Sequence, residues 1–251
     1  MPAIFNPKFK FLESSVNNFI QSFHSSGTLL VKGNRNTIRL FPVDTLTLNI
    51  KAFKVPHLLN QIIYKYIRPS KAKRSFEYAT LLLQKGIGTP EPIAYVEKFS
   101  GFGLIDSYYI SEHLNADLTF RELVEIPEFA NHEEILRCFT RFCFKMHEKG
   151  IEFLDHSPGN TLIKRTDEGY DFYLVDLNRM KFHQEMPFDQ RMKNLSRLTP
   201  KRDMVTIMAN EYSKLYDRAE TEIFEKMWGY TEEFQSKFRR KAAFKKTMKL
   251  S

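Results

Sequence analysis

Between residues 28 and 53 the chain alternates in character. TLLVKG, NTIRLF and LTLNIKAF are β-branched or alternating apolar runs, broken by GNRN and by PVD. Period-2 patterning of this kind predicts strands joined by tight turns. At 70–85, SKAKRSFEYATLLLQK switches to helical spacing. Phe76, Ala79, Leu82 and Leu83 then share one face, and Gly86 supplies the stop signal. GIGTPEPIAYVEKF reads as a rigid turn feeding a strand, and DSYYISEHL as another strand.

The second half reads differently. HEEILRCFTRFCFKMHEK, 132–149, is strongly periodic, with Ile135, Phe139, Phe142 and Met146 at helical spacing and Gly150 as its end. The stretch IEFLDHSPGNTLI follows, then two short strands, TLIKR and DFYLVDL, separated by the turn TDEG. From about 187 the pattern is mostly helical. No internal repeat or low-complexity segment interrupts this order. The expected class is α+β, with a small β-rich N-terminal lobe over 1–114 and a mostly helical C-terminal lobe over 115–251, joined near 112–116.

At 251 residues the chain is long enough to bury a core without disulfides or structural metal. Its two cysteines, Cys138 and Cys143, fall on different faces of the predicted helix and have neither metal nor disulfide spacing. No apolar run approaches the length of a membrane span, and MPAIFNPKFKF lacks a signal-peptide core, so a cytoplasmic protein is expected. The formal charge of +8 and pI near 9.3 call for an acidic partner. Residues 237–249, KFRRKAAFKKTMK, carry seven Lys or Arg and no acid, and a second basic cluster lies at 65–74. Phe234, Phe238, Phe244 and Met248 interleave the first cluster. Segment 234–249 is thus a candidate for contact with an anionic membrane surface, peripherally on the inner membrane. A nucleic-acid partner rests on charge alone, no motif supports one, and none is expected.

Five polar residues end or interrupt apolar runs where folding does not demand them: Lys51, Glu77, Asp155, Asn160 and Asp176. Singly, each has an ordinary explanation as a strand face, a helix surface or a turn residue. In this order they match a phosphoryl-transfer site. A strand lysine neutralises nucleotide phosphates and a helix carboxylate holds the lysine. An aspartate orients the acceptor hydroxyl, while an asparagine five residues later and a further aspartate hold Mg²⁺. The five-residue spacing lets a tight turn face the acid to the acceptor and the amide oxygen to the metal.

These segments resemble the catalytic loop and metal-binding segment of the protein-kinase-like fold, and within it the lipopolysaccharide core kinases acting on Kdo or heptose. The likeness is carried by NIKAF around Lys51, SFEYATLLLQKGIGTPEPIA around Glu77, YYISEHL, Asp155 to Asn160 followed by TLI, and VDLNR around Asp176, over roughly 27–180. It departs in having Phe153-Leu154 where His-Arg usually precedes the catalytic aspartate, and Leu-Asn-Arg after Asp176. A phosphate-covering loop is reduced to Gly27 and the turn around Gly33.

The resemblance implies ATP and Mg²⁺ as cofactors, with Lys51, Gly33, Asn34 and the inter-lobe residues Glu112 and Leu114 at the nucleotide. Asn160 and Asp176 would stand at the metal. Asp155, Lys51, Glu77 and Arg179 would be catalytic. The expected function is an ATP-dependent kinase for a sugar hydroxyl of a lipid-anchored glycan, Kdo or heptose of the lipopolysaccharide core. Two alternatives stay open: a small-molecule phosphotransferase of the aminoglycoside or choline kinase type, and a catalytically inactive pseudokinase. Oligomeric state cannot be read from the sequence.

Overall fold

The structure, a computed structural model, describes residues 3–55, 64, 68–101 and 103–247, with side chains to residue 244. Two features expected from the sequence fall partly outside these residues: 65–67 of the first basic cluster, and Met248 and Lys249 of the second. The chain divides into two compact units. Unit 1 comprises Met1–Asn115 with Asp176–Asn178, and unit 2 comprises Ala116–Val175 with Arg179–Ser251.

Unit 1 is built on a six-stranded antiparallel sheet of β1 (Ala3–Phe5), β2 (Thr28–Lys32), β3 (Asn36–Val43), β4 (Leu46–Phe53), β5 (Pro92–Phe99) and β6 (Leu104–Glu112), in the order β1-β5-β6-β4-β3-β2. The alternation along LTLNIKAF sorts its side chains to two faces. Leu48 and Ile50 are fully buried against Val16 and Ile20 of helix α1 (Glu13–Gln21) and against Phe9, Leu12, Phe23 and Phe41. Phe53 points the other way, into a smaller cluster with Tyr95, Tyr109 and the helix α2 (Lys71–Gln84), which supplies Ala72 and Phe76. Lys51, two residues before Phe53, shares that second face. Helix α2 starts at Ser70, whose hydroxyl accepts from the Lys73 amide at 3.0 Å, and stops at Gly86, where φ is +64°. Strand β1, helix α1 and the 3-10 turn Pro7–Leu12 before it were not anticipated from the sequence.

Unit 2 holds the helices α3 (Phe120–Glu125), α4 (His132–Glu148), α5 (Phe188–Leu195), α6 (Arg202–Ser213) and α7 (Glu220–Thr247). Its core packs Ile135, Phe139 and Cys143 of α4 against Met192, Met208, Tyr212 and Met227. Cys143 is buried, and burial pushes its thiol well up, so it stays an inert core residue beside the free Cys138. Two small sheets complete the unit. One orders β10 (Gly169–Leu174), β9 (Thr161–Thr166) and β7 (Leu118–Thr119), and the other pairs β8 (Ile151–Phe153) with β11 (Met180–Phe182). Gly150 links α4 to β8 at φ +69°. A Cβ there would come within 2.0 Å of the His183 carbonyl, so only glycine fits. The predicted strand DFYLVDL is shorter than expected: β10 ends at Leu174, and Asp176 sits at φ +61°, a left-handed conformation no strand can continue through.

Candidate active site

In unit 1, Lys51 is nearly buried, with its Nζ 2.8 Å from Asp176 Oδ1. That oxygen also accepts from Asn178 Nδ2 at 2.6 Å, while no described residue occupies Oδ2. Asp176 therefore presents one tethered oxygen and one open one from a strained backbone, which the Asn178 amide and the Lys51 ammonium hold in place. Asn178 is a local partner, two residues on, whereas Lys51 lies 125 positions away in the chain.

In unit 2, the turn after β8 holds Asp155 and Asn160. The 3-10 turn Pro158–Asn160 reverses the chain, and Asn160 Nδ2 donates to the Asp155 carbonyl at 2.8 Å. The Asn160 side-chain oxygen has no hydrogen-bond partner among the described residues. Asn160 O accepts from the amide of Val175 at 2.9 Å, the residue that precedes Asp176 in the chain. The Asp155 carboxylate meets Arg197, with Nη1 3.2 Å from Oδ1, and the same nitrogen donates to Leu154 O at 2.7 Å. Asn194 Nδ2 braces Phe153 O at 2.8 Å, and the Leu154 amide donates to Arg179 O at 3.0 Å. Three hydrogen bonds thus fix Phe153 and Leu154, the residues just before Asp155. Arg121 lies over Gly159, where any Cβ would stand 2.7 Å from its Nη2.

Glu77 departs from its expected role. It is exposed, and its carboxylate faces Lys73 at 3.8 Å one turn back along α2, not Lys51. The cause is helix rotation: Ala72, Ser75, Ala79 and Leu82 face inward, which turns position 77 to solvent. Asp176 takes the Lys51 ammonium instead. Gly33 and Asn34 form the exposed turn between β2 and β3, closed by the Gly33 amide donating to Asn36 O at 3.0 Å. Glu112 ends β6 with its amide donating to Glu91 O at 2.9 Å, while the Leu114 amide has no acceptor among the described residues. Arg179 is exposed, and its side chain has no ion-pair partner among the described residues.

Four basic residues were missed by sequence reasoning. Besides Arg197, they are Lys71, Arg74 and Arg35 of unit 1. Arg74 is buried, with Nη1 donating to Asn178 O at 2.8 Å. Burial lowers the Lys71 ammonium below its ordinary value; Arg35, Arg74 and Lys51 push the same way and Asp176 opposes them. Only the KAKR run hinted at this, and it reads equally well as a solvated helix start.

No protein-family model matches the chain, and no curated protein does. A solved structure of WaaP in complex with acyl carrier protein does match, at 16% identity with a TM-score of 0.66, over 96% of this chain and 99% of that one. The chain shares that fold. The antiparallel sheet of unit 1 and the helical make-up of unit 2 are as the sequence led us to expect.

The residue types at the two positions expected to hold Mg²⁺, Asn160 in unit 2 and Asp176 in unit 1, suit a hard cation. Asp176 Oδ2 and the Asn160 side-chain oxygen are hard oxygen donors with no described partner. No group of three or more His, Cys, Asp or Glu side chains gathers elsewhere among the described residues to hold a metal. One or two protein oxygens, with phosphates and water making up the rest, is the ordinary way magnesium is held.

Proposed function

We propose that the chain is an ATP- and Mg²⁺-dependent kinase that phosphorylates a sugar hydroxyl of a lipid-anchored glycan, Kdo or heptose of the lipopolysaccharide core. The Lys51–Asp176 pair carries the reading. A nearly buried lysine on a central strand, held by an aspartate in a left-handed conformation, is costly to fold and is what phosphoryl transfer needs. Similarity in fold to WaaP adds support.

In this reading Lys51 neutralises nucleotide phosphates, and the free Leu114 amide donates to the edge of the base, with Glu112 beside it. Asn160 and Asp176 would hold magnesium, which would supply positive charge to the phosphates. Asp155 accepts the proton of the acceptor hydroxyl at Oδ2, since Arg197 occupies Oδ1 and fixes the carboxylate plane. Arg179, exposed at the end of the same segment, contacts an acidic group of the acceptor. A cavity of about 250 Å³ in unit 2 is lined by Lys193, Arg197, Tyr230 and Phe234 together with the carboxylates of Glu152 and Glu233, a mix of charges and aromatic faces that suits a sugar carrying both hydroxyls and an acidic group.

Membrane contact would come from α7. Phe238 and Phe244 are exposed at 61% and 65%, and Phe238 is preceded by Lys237 and followed by Arg239, Arg240 and Lys241. Among the described residues no helix is long and apolar enough to cross a membrane, so attachment would be peripheral. A protein partner such as acyl carrier protein, found with WaaP, is testable by co-purification.

The exposed Glu77 favours one competing reading, a non-catalytic nucleotide-binding module, because the carboxylate expected to hold the lysine is absent from it. A thermal-shift titration with ATP and Mg²⁺, followed by mass spectrometry of Kdo–lipid A incubated with both, separates the two. A shift with an added phosphate on the glycolipid supports the kinase. A shift with no turnover on any glycolipid supports the module, and no shift rejects both.

A further inference from the structure

Unit 1 concentrates positive charge beyond what the Lys51–Asp176 pair explains. Lys51 Nζ and Lys71 Nζ lie 5.4 and 5.9 Å from the centroid of the same Phe53 ring. Arg35, at the end of the β2–β3 turn, and Arg74, within the first turn of α2, both act electrostatically on Lys71, as does Lys51. Among the described residues the carboxylate acting on it is Asp176, whose Oδ1 is already held by Lys51 and Asn178. The Arg74 guanidinium is spent on backbone carbonyls, with Nη1 on Asn178 O at 2.8 Å and Nε on Ser70 O at 3.4 Å. Lys71 is different. Half-buried at the first position of α2, it has no ion pair and no hydrogen-bond acceptor among the described residues.

For stability alone this is the wrong place for a cation. The start of a helix carries the positive end of its dipole, and like charges nearby add to the cost. Three basic neighbours and a half-buried setting become favourable only when a polyanion is present. The Leu114 amide of the same unit, at the end of the strand paired with β4, adds an unsatisfied donor suited to a base rather than to a phosphate.

We propose that Lys71 is a second phosphate-binding lysine, which with Lys51 forms an ammonium pair that grips the polyphosphate of a nucleoside triphosphate. The inference rests on the kinase reading, and it deepens that reading by assigning the nucleotide's phosphates to a residue outside the recognised pattern.

Calorimetric titration of the full chain tests it. MgATP, inorganic tripolyphosphate with Mg²⁺, AMP and adenosine are titrated into the unmodified chain, Lys71→Gln, Lys71→Arg and the neighbouring control Lys73→Gln. Loss of a charge-assisted contact in Lys71→Gln is expected to weaken MgATP and tripolyphosphate roughly ten- to a hundredfold. Adenosine should bind unchanged. Lys71→Arg should stay within roughly threefold of the unmodified chain, and Lys73→Gln within roughly twofold. Lys71→Met replaces Lys71→Gln if the latter does not fold by circular dichroism. MgATP binding that survives in Lys71→Gln, or an equal loss for adenosine and MgATP, overturns the proposal while leaving the kinase reading intact. An unmodified chain with no affinity for MgATP overturns the kinase reading and this proposal with it.

Discussion

Acidification is expected to unfold unit 2 through two histidines packed around the Asp155 turn. His147 of α4 is fully buried, with Nδ1 3.0 Å from Tyr212 Oη and Nε2 3.2 Å from Asn194 Oδ1. His156 follows Asp155 in the chain, its ring 5.5 Å from Phe153 and 5.8 Å from Phe139, with no hydrogen-bond partner on either nitrogen among the described residues. Burial holds both imidazoles down to about 3, from 6.5, and the cations of Arg191 near His147 and Arg197 near His156 push the same way. Between these values the unfolded chain binds more protons than the folded one. The stability tied to neutral histidines is therefore complete above 6.5 and is lost as the pH falls. At about 1.4 kcal/mol per pH unit, going from 6.5 to 5 costs about 2 kcal/mol per histidine, and about 4 kcal/mol for the pair. Trp228, the chain's single tryptophan, packs against the unit 2 core and reports its unfolding by fluorescence. With a urea slope of about 2 kcal/mol/M, the midpoint should fall by about 2 M between pH 7 and pH 5. His156→Leu, which removes one of the two groups, should roughly halve that fall. An equal midpoint at both pH values, or an undiminished fall in His156→Leu, would refute the reasoning.

Other consequences concern the site. Arg197→Met removes the cation from Asp155 Oδ1 and from Leu154 O, so kcat should drop roughly tenfold while KM for ATP holds; a changed KM at constant kcat contradicts the positioning role. Glu77→Gln should leave turnover within roughly twofold, because the carboxylate is at the surface; a large loss would restore the lysine-holding role that the geometry denies it. Phe238→Ser with Phe244→Ser should reduce flotation with anionic liposomes while leaving activity on micellar substrate unchanged, and equal flotation would remove α7 from the membrane account.

Much of the frame was legible because it is periodic. Lys51, Phe53 and the buried Leu48 and Ile50 follow from alternation alone, and α2 and α4 run from Lys71 and His132 to the stops that Gly86 and Gly150 supply. The helix α1 was legible in principle, since Phe9, Leu12, Val16 and Ile20 recur at helical intervals, but its short polar interruptions hid it. What the sequence could not show was rotation and long-range proximity. Glu77 had the right residue type on the right helix, yet packing of Ala72, Ala79 and Leu82 decides which way that helix turns. Arg197 reaches Leu154 from 43 residues away, and Arg35 meets Lys71 only because β3 lies beside β4. Such contacts leave no local pattern. Asp176 is intermediate: its residue type was recognised, but its left-handed backbone, which removes it from the strand, was not.

The most direct measurement is transfer of radiolabelled γ-phosphate from ATP to Kdo–lipid A by the unmodified chain, by Asp155→Ala and by Asp176→Ala. The account predicts labelled glycolipid with the unmodified chain, and a loss of at least roughly a hundredfold in each variant. Labelling that falls by less than roughly tenfold in Asp155→Ala, or an unmodified chain that labels no glycolipid while binding MgATP, would contradict it.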